Sequence, residues 1–163
     1  MTKRSAYVAA ILLVVFALLP LFVVAHENAL VMVTAAATGT FPSGTTYKGV
    51  PLSGLRFGTG VEIPGDTSAT GEFQATLLGT SNGGQPQNII IEALVSSGSA
   101  GNGTATFSGT CSVDMADGTP TSKGVLFTAT ITANAEGKGT IVLKLGTTTL
   151  PTATVNEGSM TIQ

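Results

Sequence analysis

The chain has 163 residues, a formal net charge of −2 and only 10% charged residues. This length suits one domain, because domains of about 100–150 residues are the commonest and can bury a core of their own. A single Cys excludes an internal disulfide, and the absence of a Lys/Arg cluster argues against binding to nucleic acid or to anionic lipid.

The first 25 residues have the layout of a secretory signal peptide. Two basic residues precede an unbroken apolar run, a proline and two suitably spaced small residues, which predicts cleavage between Ala25 and His26. Residues 6–25 carry no charge and are long enough to cross a bilayer as a hydrophobic helix, so an uncleaved membrane anchor is the alternative. Both interpretations place residues 26–163 outside the cytoplasm as a single domain and limit membrane contact to the N-terminal segment.

Glycine and threonine dominate the remainder, with 21 and 26 copies in the whole sequence. Gly costs a helix interior about 1 kcal/mol relative to Ala, and Thr is stiff at χ1 and favours strands. The longest glycine-free runs after residue 25 span 13 residues each, so a long helix has no room. The composition predicts an all-β domain.

Alternation of apolar and polar residues locates the strands, most clearly at Thr104–Met115. Gly-rich turns separate the segments, and Pro51 and Pro151 favour edge or first positions. Eight or nine short strands predict an antiparallel β-sandwich, immunoglobulin-like or jelly-roll. In chain order the predicted strands are Leu30–Ala36, Val50–Phe57, Glu72–Leu78, Asn88–Val95, Thr104–Met115, Val125–Ala133, Thr140–Leu145, Thr148–Val155 and Ser159–Ile162.

One segment departs from strict alternation. Ile89, Ile90 and Ile91 are apolar on both faces of their strand. This pattern indicates a central strand, or a strand that a partner covers.

The densest polar segment contains Asp114 and Asp117, three positions apart in a Gly-containing loop. Carboxylates with a Thr hydroxyl and backbone carbonyls could hold a calcium ion, although the spacing does not match a twelve-residue EF-hand loop. An Asp-Gly turn held by local side-chain to backbone hydrogen bonds explains the same residues, and is the preferred interpretation.

Nucleophilic catalysis finds little support in the sequence. Cys111 falls on an inward strand face, where a free cysteine behaves as a small hydrophobe. His26 is the only histidine; as a mature N-terminus it could chelate copper, but no second histidine is available, and it lies far from Cys111 in the sequence. The sequence therefore predicts neither an enzyme nor a bound cofactor or metal.

Carboxylate chemistry is harder to exclude from the sequence. A folded sheet could bring two carboxylates to the spacing that glycosidases use, but nothing in the sequence says that it does so. The scattered candidates are Glu62, Asp66, Glu72, Glu92, Asp114, Asp117 and Glu136.

We expect a non-catalytic protein, secreted or membrane-tethered, with a structural or interaction role at the cell surface or in the extracellular matrix. Self-association could use the edges of two apolar, nearly uncharged strands, Ile89–Val95 and Leu30–Ala36, or the partners could be other surface proteins. An equally supported interpretation is that both segments are ordinary core strands of a monomer. The alternative is a small-ligand or carbohydrate binding module, for which Tyr47 is the candidate exposed aromatic. Asn102 begins an Asn-Gly-Thr glycosylation pattern.

Overall fold

The computed structural model describes residues 30–65 and 67–163, which form β-strands and no helix. The all-β, antiparallel class predicted from the sequence is confirmed. None of the described elements is a helix that could cross a membrane. The predicted signal peptide or anchor helix, residues 1–25, lies outside the described residues. The strands are β1 (Val31–Thr40), β2 (Thr46–Tyr47), β3 (Val50–Ile63), β4 (Ser68–Gly79), β5 (Ile89–Gly101), β6 (Thr104–Asp114), β7 (Ser122–Ala133), β8 (Gly139–Leu145), β9 (Thr148–Thr149) and β10 (Ala153–Ile162).

The eight long strands form one sheet that closes on itself. Strands β3 to β8 each pair with the next in sequence, and β8 pairs with β10. Strand β1 pairs with β10 on one side and with β3 on the other, which completes the ring. Each long strand therefore has two antiparallel neighbours.

The order of strands around the sheet is a meander. Immunoglobulin-like and jelly-roll sandwiches have Greek-key connections, in which a strand pairs with one that is distant in the chain. Here the long strands that are neighbours in the sheet follow one another in the chain, except β1 and β10, whose pairing closes the ring. The short Gly-containing turns favour this meander, because they return the chain directly beside the strand just completed.

Prolines and glycines explain the main differences from the predicted boundaries. The predicted strand Thr148–Val155 is interrupted at Pro151, which has no N–H to donate, and its second half belongs to β10. Strand β3 continues past Phe57 through Gly58 and Gly60, because β1 and β4 hold it on both sides.

The interior of the closed sheet is a single hydrophobic core. Phe73 of β4 stacks on Phe127 of β7 with ring centroids 5.8 Å apart, and it lies 5.9 Å from the ring of Phe107. Contacts between rings at these distances join strands that are not neighbours in the sheet. The inward positions predicted from alternation in β6 and β7 that are fully buried are Ala105, Phe107, Cys111, Val113, Phe127, Ala129 and Ile131.

Candidate interaction surface

A groove crosses the outer face of β3, β4, β5 and β6. The backbone register places Gly58 beside Gln74, Gln74 beside Glu92, and Glu92 beside Ser112. Three adjoining cavities of about 260, 490 and 160 Å³ all include Gln74 in their lining. The outer face of these strands therefore has a shallow, open depression centred on Gln74, which we call the outer groove.

Two glycines open the outer groove at its β3 end. Gly58 and Gly60 take outward positions of β3, where a larger side chain would stand above the sheet. A Cβ atom added at Gly60 would meet no atom within 4 Å. The absent side chains leave the flank of Gln74 and Glu72 accessible from the β3 side.

The carboxylates of the outer groove and the amide of Gln74 are not engaged by the rest of the described chain. Glu72, Gln74 and Glu92 are exposed and form no side-chain hydrogen bond or ion pair with a described residue. Arg56 lines one end of the groove and Lys123 the other. The groove thus has an acidic centre between two cations, and its charged groups are free to bind a partner.

Two exposed leucines flank the same strand of the outer face. Thr110 of β6 is directly opposite Leu94 of β5 on one side and Leu126 of β7 on the other. The side chains of Leu94 and Leu126 are 65% and 69% exposed. Leucines so exposed, on strands that otherwise point polar residues outward, mark this part of the sheet as a candidate contact surface.

The outer face beyond these leucines is covered by hydroxyl groups that bond to one another. Such cross-strand pairs stabilise a sheet modestly and satisfy the hydroxyls locally. The oxygen pairs are Ser97 and Ser108 at 2.8 Å, Thr106 and Thr130 at 3.1 Å, and Thr104 and Thr132 at 3.2 Å.

Asp114 and Asp117, the calcium candidates, are occupied in the turns that follow β6. Asp114 Oδ1 accepts a hydrogen bond from the Ala116 N–H at 2.8 Å. Asp117 Oδ1 accepts from the N–H and the hydroxyl of Thr119, and these bonds hold the pKa of Asp117 below its ordinary value. Among the described residues no group of three or more His, Cys, Asp or Glu could hold a metal ion. The geometry is that of local turns.

Tyr47, the candidate ligand-binding aromatic, lies in the core. Its side chain is 2% exposed, and burial raises the pKa of its hydroxyl. A sugar-binding platform needs an aromatic face open to solvent, so Tyr47 does not supply one. Every other aromatic side chain of the described residues is buried as well: Phe41, Phe57, Phe73, Phe107 and Phe127.

Cys111 is buried in β6, and its burial raises the pKa of its thiol, which keeps it protonated. His26 and Asp66 lie outside the described residues. Of the remaining carboxylates, the structure brings Glu72 and Glu92 to one cavity of the outer groove. Asn102 lies at the tip of the β5–β6 hairpin with a positive φ of 53°, a conformation that tight two-residue turns require.

The two segments proposed for edge association have no free edge. Strand β5, which contains Ile89–Val95, is hydrogen-bonded to β4 and β6, and β1, which contains most of Leu30–Ala36, is bonded to β3 and β10. Association through the edge of either strand would require the closed sheet to open.

Sequence reasoning overlooked the outer groove although part of its signal was visible. Leu126 is an apolar residue among the threonines of the outward face of β7, and Ile90, now 46% exposed, breaks the alternation of β5. Both departures indicated exposed apolar side chains. The positions of Leu126 and Ile90 relative to Gln74 and Lys123 depend on the register between strands. The order of residues along a single strand does not predict that register.

Comparisons with protein-family models, curated proteins and solved structures found no match to this chain.

Proposed function

We propose that this protein is non-catalytic and acts outside the cytoplasm, secreted or tethered by its N-terminal segment, in a structural or interaction role. The observation that carries the proposal is the outer groove, with the unengaged side chains of Glu72, Gln74 and Glu92 beside exposed Leu94. Polar groups without internal partners and an accessible apolar side chain favour contact with another molecule.

The closed sheet also supports a flattened, two-layered form for this domain. Phe73 of β4 and Phe127 of β7 belong to strands that are three steps apart around the sheet, yet their rings stack at 5.8 Å. Large side chains that meet across the interior leave it filled, as in the core between two packed layers.

N-terminal sequencing and native mass measurement of the product made in an exporting host test this proposal. Cleavage after Ala25, or an intact chain recovered in the membrane fraction with residues 30–163 accessible to added protease, would support it. A soluble cytosolic product with an intact N-terminus would contradict it.

A small-ligand module is the second candidate, because the 490 Å³ cavity of the outer groove has the size of small-molecule sites. Glu72, Gln74 and Glu92 could accept and donate hydrogen bonds to a polyhydroxylated ligand such as a sugar. NMR titration with a panel of oligosaccharides tests this candidate. Shifts confined to the groove and lost in Gln74→Ala would favour it, and an unchanged spectrum would count against it.

A further inference from the structure

The outer face has a self-complementary pattern centred on β6. In one row across the sheet, Thr110 stands between Leu94 of β5 and Leu126 of β7. In the adjacent row, Ser112 stands between Glu92 of β5 and the β7 residues at the bulge that includes Lys123. In both rows the central residue, on β6, is small and polar. The residues on either side of it are two leucines in the first row and two opposite charges in the second.

A twofold rotation exchanges the two sides of such a pattern. If a second copy is turned by 180° about an axis that runs along β6, in the plane of contact, its β7 side lies over the β5 side of the first copy. Leu126 then faces Leu94 and Lys123 faces Glu92, and the same two contacts recur on the other side of the axis. A contact in which one patch meets itself is the usual geometry of a homodimer.

From this arrangement we infer that a second copy of this chain docks on the β5–β6–β7 face to form a symmetric dimer. The inference rests on the proposed interaction role and names its partner. Leu94 and Leu126 supply the apolar contact, since each is more than half exposed in the single chain. Glu92 and Lys123 supply complementary charge, and neither forms an ion pair within the described chain that docking would have to break.

The arrangement of charges favours a second copy over a simple basic or acidic partner. A uniformly basic segment over Glu92 would also meet Lys123, and a uniformly acidic segment over Lys123 would meet Glu92. Both residues line one cavity, so both charges must be matched together. A second copy, rotated as described, matches them with its own Lys123 and Glu92.

Sedimentation velocity of the exported product over a wide range of concentration tests the inference, with charge exchange as the decisive comparison. Glu92→Lys alone and Lys123→Glu alone each place like charges together twice in the dimer, and we expect each to weaken association by about 100-fold. The double exchange, Glu92→Lys with Lys123→Glu, restores both contacts and should recover most of the affinity. Leu94→Ser should weaken association by about tenfold.

Two exposed charges outside the patch provide matched controls. Glu62→Lys on β3 and Lys144→Glu on β8 change the net charge by the same amounts and should leave association unchanged. Circular dichroism and urea unfolding should show that every variant folds, because surface charges of this kind have little effect on stability.

A monomer at all concentrations, or single and double exchanges with equal effects, would overturn the inferred dimer. N-terminal sequencing of the same sample keeps this result separate from the proposed function. A correctly exported monomer contradicts the dimer alone, whereas an intact, soluble cytosolic product contradicts the proposed function.

Discussion

The hydrogen-bonded ladders between strands differ greatly in length in two regions of the closed sheet. From β3 to β7 the ladders are long, and the β5–β6 ladder extends from Ile90 and Asp114 to Gly101 and Thr104. Between β8 and β10 only three residue pairs are formed, at Ala153–Val155 of β10. We call these regions the wall (β3 to β7) and the seam (the junction of β8 and β10).

The seam replaces missing strand pairs with contacts from a turn. Past Val155, the edge of β10 on the β8 side faces the turn that precedes β8. The Gly137 carbonyl in that turn accepts a hydrogen bond from the Met160 N–H at 2.9 Å. The Lys138 ammonium donates to the carbonyls of Asn156 and Gly158 at 3.3 and 2.8 Å. The comparison shows that a sheet can close without a full ladder when a side chain and a turn satisfy the backbone groups. It also indicates that the seam opens more readily than the wall.

The largest expected effect tests the wall. Phe73→Ala removes a fully buried ring that contacts Phe57, Phe107 and Phe127, and should lower the free energy of unfolding by about 4 kcal/mol. Urea unfolding with a check on the slope measures it. Phe73→Leu, which keeps most of the volume, should cost about 1 kcal/mol. A loss of less than about 1 kcal/mol for Phe73→Ala would show that the wall does not carry the stability assigned to it.

The next effect tests how closely β8 packs against β7, beside the seam. Gly139 has a φ of 152°, and a Cβ atom there would lie 1.8 Å from the Thr132 carbonyl oxygen. Because backbone must shift, Gly139→Ala should lower the free energy of unfolding by roughly 2–3 kcal/mol. Gly60→Ala in β3 is the matched control, since its Cβ would meet no atom within 4 Å. Equal effects at the two glycines would mean that close approach at Gly139 is not what requires glycine.

A smaller effect isolates the side chain that covers the seam. Lys138→Met keeps the aliphatic stem but removes both hydrogen bonds to β10, and should cost about 1 kcal/mol. Amide hydrogen exchange at Met160, whose N–H bonds the Gly137 carbonyl, should become faster, while exchange in β5 and β6 stays as before. Lys144→Met, at an exposed position of β8, serves as the control. Uniformly faster exchange throughout the sheet would contradict a seam that opens on its own.

The wall was largely predictable from the sequence and the seam was not. Alternation is local, so the inward positions of Phe107, Phe127 and Ile131 followed from the order of residues alone. Closure depends on β1 pairing with β10, which lies more than a hundred residues further along the chain. No short-range pattern predicts that pairing, and without it β1 is left with an edge open to association.

The outer groove shows the same limit. Its members Gln74, Glu92 and Lys123 are visible individually in the sequence, and so is the neighbouring Leu126 on a polar strand face. Their meeting depends on the registers that place Gln74 beside Glu92 and Thr110 between two leucines. Bulges set those registers, including one between Cys111 and Val113 that brings Lys123 into the groove.

The smallest expected effect lies in the loop that joins β6 to β7. It tests whether this loop can change without a loss of stability in the wall. The hydrogen bond from the Thr119 hydroxyl to Asp117 Oδ1, at 2.6 Å, is the main cause that lowers the pKa of Asp117 from its ordinary value of 3.8. A lowered carboxyl pKa contributes stability above the ordinary value, and that contribution is lost as the pH falls through the folded-state pKa. Thr119→Val should therefore raise the pKa of Asp117 toward 3.8.

NMR titration of the Asp117 carboxyl measures this shift. Thr121→Val is the matched control, because the Thr121 hydroxyl approaches Asp114 at 3.5 Å and does not contact Asp117. Urea unfolding at neutral pH should show only a small loss in Thr119→Val, because the contribution of ionised Asp117 is present there but its side chain is exposed to solvent, and no loss from this cause in Thr121→Val. A large loss of stability at neutral pH would instead show that the loop and the wall fold as one unit, so that the loop could not vary without opening β6 and β7.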